Sequence, residues 1–537
     1  MNIFRDCAIA RAARWVTGNA GRLYQNSLIG RIAGGFRESY PHSRTRRLWD
    51  AYVSQDGEVT SSLYGRAMHA LHTLCRRAGA WLLPILYASL LYRMGCAVKR
   101  FFRHVFRGSV IHRVWTKAGM DFRRLVIFGF SLYLPVDWLL RDILKAGIFM
   151  SVWDELFFCA CVAYVFWLRI SERDRDGQTR VTALDMPILI FCGLGFFLMC
   201  VNAPVRSIAL SGYRATVQYM LWFFVMARLL RSEGDIRTLC FGIALVGFFM
   251  ALHGIEQFIT AAPIPESWTT STEAAVRTRA YSITGSPNIL GTYLVLTAPL
   301  FAGFAYTVKK PFWKLCAWGA VGAELLCLLA TYSKGAWVGM ICAVVIFALI
   351  YDRRLFALLA VGVSAVMFVP SILDRLLFLF TDDFAAASAV GGRAMRWALG
   401  GELLAANPWL GFGLGRFGGA VAMQNQYLEV TETFKYFYLD NYYLKIAVEM
   451  GYPGIIAFVF LTVALVWQGL RSCGRSLRTS LQPLTAGMLA GLTGVLVHCL
   501  FENIFEEPYM MALFWGIAAA LMVTRLCSAP RSDPNPR

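Results

Sequence analysis

An all-α, polytopic membrane protein is the fold class this sequence predicts, and three observations carry the prediction. Of 537 residues, 57% are hydrophobic and only 16% charged, whereas soluble domains carry about 25% charged residues. The mean hydropathy is +0.52. From Leu125 onward the chain is a succession of apolar runs separated by short charged breaks. A soluble protein of this size has too little interior for so much apolar surface, so lipid is the solvent for most of the chain.

Charge divides the chain into two regions. The formal net charge is +19, but residues 1–124 hold 21 Lys/Arg against 6 Asp/Glu, a net of +15 that leaves +4 for the rest. Nucleic-acid binding would also place a basic block there, yet no metal-binding Cys/His spacing or glycine-aromatic reading motif accompanies the arginines. The positive-inside rule explains the block better: Lys and Arg stay on the cytoplasmic side of the first span. Within it, Leu63, Ala67, Leu71 and Leu74 recur at helical spacing after Ser61 and Ser62, with Arg66, His69, Arg76 and Arg77 off that stripe. A second apolar run, Trp81 to Tyr92, is too short to span a bilayer. Helices lying on an anionic membrane surface and a solvated cytoplasmic helical bundle both fit this region. Arg5, Arg11 and Arg14 interrupt any signal-peptide core.

The membrane region, residues 125–526, reads as twelve spans near 125–140, 148–168, 186–203, 213–230, 239–259, 288–308, 312–331, 335–351, 355–372, 441–467, 484–500 and 508–526. Several fall short of the roughly 20 residues of a straight span, so eleven or thirteen are the neighbouring counts. Loop charge supports twelve. With a cytoplasmic N-terminus, the inside loops hold Arg169, Arg173, Arg175 and Arg180; Arg228, Arg231 and Arg237; Lys309, Lys310 and Lys314; Arg353 and Arg354; and Arg471, Arg475 and Arg478. The tail, 527–537, is then also cytoplasmic. The last outer loop is acidic, with Glu502, Glu506 and Glu507. A miscount of one span would invert the later loops and spoil the pattern. Asp154, Glu155, Glu256, Glu324 and His498 fall inside spans, where a polar group must face the bundle or a wet cavity. None of the 14 cysteines lies in the long outer segments 260–287 and 373–440, and most sit in spans as small hydrophobes. No spacing suggests a metal site.

A loop as long as 373–440 between spans is uncommon unless it has work to do. It carries Arg393, Arg396, Trp397, Glu402, Arg416, Glu429, Glu432, Lys435 and Asp440, with turns marked by Asn407-Pro408 and Gly411, Gly413, Gly415, Gly418 and Gly419. Gly392-Arg393-Ala394-Met395-Arg396-Trp397, followed by Asn407-Pro408-Trp409-Leu410-Gly411-Phe412-Gly413-Leu414-Gly415, resembles the signature of the O-antigen ligase/polymerase superfamily. Asp440-Asn441-Tyr442-Tyr443-Leu444 and Glu449-Met450-Gly451-Tyr452-Pro453-Gly454 are similar to that family's His-Asn-x-x-Leu and Glu-x-Gly-x-x-Gly stretches. Upstream, Thr331-Tyr332-Ser333-Lys334-Gly335-Ala336-Trp337 resembles its Ser-Arg motif, and Arg279 with Ser286-Pro287-Asn288 its Arg…Asn-Pro-Asn element. The resemblance covers about residues 270–470.

The resemblance implies a metal-independent glycosyltransferase without a cofactor. Its donor would be a glycan on undecaprenyl diphosphate in the outer leaflet of the bacterial cytoplasmic membrane, and its acceptor a glycan, lipid or protein. Membrane lipids are its other partners; nucleic acid is not one. By the same resemblance Lys334 and Arg393 hold the diphosphate, and Asp440, at the place of the usual His, assists the acceptor hydroxyl. Arg277, Arg279, Asn288, Ser333, Arg396, Arg416 and Asn441 complete the substrate-binding candidates. Fixed cations suit such a site physically, because they stabilise charge developing on a departing diphosphate. Two departures stand out. Lys334 keeps the charge of Arg but loses its bidentate fork, and Asp440 has an ordinary pKa of about 3.9 where His has about 6.5.

Plainer roles remain open for each residue. Arg393 and Arg396 would also serve as loop charges at lipid headgroups, Lys334 as a snorkelling helix-end lysine, and Asp440 as the N-cap of the tenth span. The glycines at 411, 413 and 415 imitate a phosphate loop only weakly. A lipid-linked sugar flippase or another twelve-span transporter is the rival class. Its polar groups belong near the bilayer midplane and in broken helices, whereas here they concentrate in outer loops. Polymerase and ligase remain open, with Asp440 favouring polymerase.

Overall fold

The computed structural model describes residues 63–89, 93, 94, 97, 100, 121–147, 149–171, 181–264, 278–368, 393–426, 438–476 and 479–528. Arg277, most of the segment 1–124, and residues 373–392 and 427–437 of the long loop lie outside these. Among the described residues the named elements are all helical. In chain order they are α1 (Leu63–Ala88), α2 (Phe122–Ser131), α3 (Tyr133–Trp138), α4 (Phe149–Ile170), α5 (Asp185–Val201), α6 (Arg206–Val217), α7 (Trp222–Leu229), α8 (Glu233–Ile259), α9 (Pro287–Thr307), α10 (Pro311–Ala330), α11 (Lys334–Ile350), α12 (Leu355–Met367), α13 (Arg393–Ala406), α14 (Ala420–Asn425), α15 (Tyr442–Arg475), α16 (Gln482–His498) and α17 (Pro508–Ser528). Helix occupies each of the twelve apolar runs. Four helices, α8, α9, α10 and α15, are by themselves long and apolar enough to cross a membrane, and α5, α11 and α17 are shorter apolar helices.

Local chemistry sets the helix starts. Ser232 and Asp235 form a reciprocal capping box on α8. Prolines open α9 and α10, where a missing N–H costs nothing. Asp121 accepts from the Arg124 N–H to cap α2, and Asn441 does the same for Leu444 on α15.

The centre of the bundle is α9, α16 and α17, whose side chains are almost wholly buried. Gly487, Gly491 and Gly494 let α16 approach its neighbours closely: a Cβ on Gly491 would meet the Leu296 carbonyl oxygen at 2.6 Å, and one on Gly494 the Gly339 oxygen at 2.7 Å. The rim helices turn apolar side chains outward, among them Phe312, Trp313, Leu315 and Leu326 of α10 and Phe196 and Phe197 of α5. That is the expected surface for lipid contact.

Two expectations need correction. The stripe through Leu71 and Leu74 and the run beginning at Trp81 belong to one helix, α1, and not to two. In this helix His72, Cys75 and Gly79 are buried, while Leu71, Leu74 and Trp81 are exposed. Close approach to α4 decides this, since a Cβ at Gly79 would strike Ile170. Second, Glu256 does not face the bundle; it is exposed in the last turns of α8, where a carboxylate reaches the interface cheaply. The other intramembrane polar groups do find partners. Asp154 accepts from Tyr133 and Tyr219, Glu155 pairs with Arg214, and Glu324 accepts from Thr297.

The ends of the bundle differ chemically. At one end Asp235 receives Arg123 and Arg124, and the buried Asp185 receives Arg228, Thr182 and the Tyr64 hydroxyl of α1. At the other end the connectors 278–286, 331–333, 438–441 and 499–507 meet one another. There the Ala280 N–H donates to the Ala330 carbonyl and that of Tyr442 to the Cys499 carbonyl.

Candidate active site

The loop docks because α15 is broken. Gly451 sits at φ +68°, a left-handed conformation that suits glycine, and Pro453 has no N–H. The carbonyls of Val448 and Glu449 therefore lack helical donors and must find others. Phe412 donates to Val448 at 2.7 Å and Gly413 to Glu449 at 3.2 Å, while the Tyr452 N–H reaches the Pro408 carbonyl at 2.8 Å. A Cβ on Gly451 would lie 2.7 Å from the Pro408 oxygen, so the close approach also needs glycine here. The two glycine motifs thus form one joint, and the phosphate-loop imitation at 411–415 is a docking turn.

A buried ion cluster seals the joint. Lys445, with 3% of its side chain exposed, bonds to Glu506 and lies 3.5 Å from Glu449. Glu449 accepts from the Gly415 N–H at 2.9 Å, and Glu506 from the Ala420 N–H at 2.9 Å. Asn503 donates to the Gly418 carbonyl at 2.7 Å. A small apolar cluster of Phe417, Leu439 and Val448, covered by Trp397 and Leu444, seats α13 on α15.

These supports aim α13 at Asp440. Arg393 and Arg396, three residues apart, share a helix face. Arg393 Nε lies 3.1 Å and an Arg396 guanidinium nitrogen 2.9 Å from the same Asp440 oxygen, and Arg396 also donates to the Tyr438 carbonyl at 2.9 Å. Asp440 is therefore the arginines' counter-ion, and the N-cap of α15 is Asn441, whose side chain is engaged in that cap.

Arg279 and Asn288 join the cluster through Glu502. Arg279 is buried, donating from Nε to the Thr331 carbonyl at 2.9 Å and from a terminal nitrogen to Asn288 at 3.4 Å. Asn288 in turn donates to Glu502 at 2.5 Å. Ser333 is the buried N-cap residue of α11, and Lys334 begins that helix. The next residue, Gly335, abuts the connector after α16: a Cβ there would lie 2.7 Å from the His498 ring and 2.9 Å from Phe501. Arg416 folds back on its own turn, 4.1 Å over the Phe412 ring. Arg277 lies outside the described residues.

The hub of the arrangement is Glu502, in the sequence only one of the acidic residues of the last outer loop. Glu502 is 6% exposed, and its Oε1 accepts from the Asn503 N–H at 3.1 Å. Burial, then the neighbouring Asp440 carboxylate, push it above the ordinary carboxylate range, against a smaller opposing effect of Arg393. An acidic stretch at a predicted loop was the only sequence signal for it.

Residues 319–459 match the O-antigen ligase family. The chain carries an O-antigen ligase domain. That match supports the O-antigen ligase/polymerase superfamily and, at the level of class, a membrane enzyme of that type. The O-antigen ligase segment contains Ser333, Lys334, Arg393, Arg396, Arg416, Asp440 and Asn441; Arg279, Asn288 and Glu502 come to the cluster from outside it. Among curated proteins none matches the chain.

Proposed function

We propose that the protein transfers or polymerises glycan from an undecaprenyl-diphosphate donor on the outer face of the bacterial cytoplasmic membrane. The carrying observation is the convergence of Arg393 and Arg396 on Asp440, beside Glu502, which Asn288 (held in turn by Arg279) reaches and whose connector the start of Lys334's helix abuts. Twelve spans with both termini cytoplasmic put this end outside; the basic loops of the opposite end support that orientation.

In this reading Arg393 and Arg396 stay paired with Asp440 and turn their other N–H groups to diphosphate oxygens when the donor arrives. The acceptor hydroxyl attacks the anomeric carbon, and the new glycosidic C–O bond forms. The bond from that carbon to the phosphate oxygen breaks, and its electron pair leaves on the diphosphate, where the guanidinium groups stabilise the charge. A carboxylate of the cluster takes the hydroxyl proton. No step calls for a metal or cofactor. The break at Gly451 does not favour a transporter, because the loop's own N–H groups fill it.

The test is Arg393→Ala and Asp440→Asn, expressed in the native host and assayed for surface-glycan chain length and lipid-linked repeats. Both variants should lose surface glycan. Accumulation of single lipid-linked repeats identifies a polymerase, and accumulation of long lipid-linked chains a ligase. Normal long glycan in both variants would remove the site.

A further inference from the structure

Asp440 and Glu502 are the two carboxylates of the cluster that lie beside Arg393, and they are almost equally covered, at 8% and 6% exposed. Access does not distinguish them. Partners do. Asp440 is held by two guanidinium groups, with contacts of 3.1, 2.9 and 3.4 Å. A carboxylate so paired gives up strong charge-assisted bonds when it takes a proton. Among the described residues Glu502 accepts hydrogen bonds from neutral donors, the Asn288 amide and the Asn503 N–H, and a carboxylate's four lone-pair sites leave room for a hydroxyl. We propose that Glu502, oriented by Asn288, is the base that accepts the acceptor hydroxyl's proton, while Asp440 positions the arginines. This rests on the glycosyl-transfer reading above. The proton moves from the acceptor oxygen to a Glu502 oxygen as that acceptor oxygen bonds to the anomeric carbon, and the protonated carboxyl returns it to water.

The surroundings favour the assignment. Asn288 faces Glu502 from α9, and Arg393 from α13. Asp440 and Tyr438 face it from the 438–441 segment, Cys499 from just beyond α16, and Glu507 from its own connector. Lys334 begins the helix that abuts Phe501. His498 is less suited, because it is 1% exposed and its Nδ1 is engaged with Thr292 at 2.7 Å.

The experiment uses membrane vesicles of the native host carrying their own lipid-linked glycan, with Glu502→Gln, Glu502→Asp and Arg393→Ala in the full chain. General-base removal costs about 10²–10⁴-fold. Glu502→Gln should therefore lower turnover by at least about 10²-fold, at an unchanged melting temperature in detergent. The wild-type rate should fall with decreasing pH along a limb above the usual carboxylate range, and that limb should vanish in Glu502→Gln and persist in Glu502→Asp. If Glu502→Gln does not fold, Glu502→Asp carries the test, with reduced turnover and the limb retained at lower pH. Turnover within two-fold of wild type in the Gln variant, an intact acidic limb there, or a limb unmoved in the Asp variant would overturn the proposal. Arg393→Ala separates the two claims. Full transfer without Arg393 defeats the underlying function, whereas loss without Arg393 alongside normal Glu502→Gln turnover defeats the base assignment alone.

Discussion

Replacing Lys445 with Met probes the joint that holds the loop over the membrane helices. Met preserves most of the side chain's length and removes only its charge. The side chains of Lys445, Glu449 and Glu506 are 3%, 0% and 7% exposed, so the substitution strands two carboxylates with little water to replace the cation. Removing one partner of a buried ion pair costs about 3–5 kcal/mol. Uptake of a proton by one carboxylate relieves part of that cost, so the lower end, about 3 kcal/mol, is expected. The same carboxylates accept from the Gly415 and Ala420 N–H groups, so the loss falls on the turn that seats α13. The assay is thermal unfolding of the detergent-solubilised protein together with limited proteolysis within 408–426. Lys445→Met should melt earlier, be cut faster in that segment and lose transfer activity. Adding Glu506→Gln should restore part of the stability, with a coupling of about 1–3 kcal/mol. Unchanged melting and cleavage in the single variant, or a double variant no more stable than the single, would refute the ion cluster as the loop's anchor.

Glu507 gives a pH-dependent prediction. Burial first, then Glu506, Asp137 and Glu502, raise it to about 7, with Arg141 opposing. A carboxyl with a raised folded pKa binds more protons folded than unfolded, so its contribution is present at pH 4 and is lost as pH rises towards and through 7. Glu507→Gln should therefore match wild type near pH 5 and exceed it in melting temperature at pH 8; no gain at pH 8 contradicts this. Gly335→Ala places a methyl against the His498 ring. Overpacking of about 1–3 kcal/mol should displace the 498–503 connector, read as lower transfer activity at a wild-type expression level, and wild-type activity would argue that the contact is compliant. Tyr64→Phe removes one of the three side chains that bond to Asp185 among the described residues. It should cost about 1 kcal/mol and quicken protease release of α1, and an unaltered cleavage rate would separate α1 from that contact.

Legibility varied with range. Helix in the apolar runs was legible because it follows from pattern within a few residues. Glu502 was visible only as an acidic residue, because its significance depends on Asn288, 214 residues away. The face that α1 turns to α4 was not legible for a related reason. In a membrane protein both lipid and protein accept leucine, so an apolar stripe does not say which one it meets.

By itself the sequence determined that the chain lives in lipid, that it is helical, that its first quarter is strongly basic, and that residues near 334, 393 and 440 belong to one recognisable pattern. Apolar content, charge distribution and spacing are properties of the chain before it folds. Only the tertiary structure decided that the glycine motifs mend a broken helix, that Asn441 and not Asp440 caps α15, and that Asp440 holds two arginines. The physical reason is that a carboxylate's chemistry is set by its buried neighbours, and folding, not sequence order, chooses them.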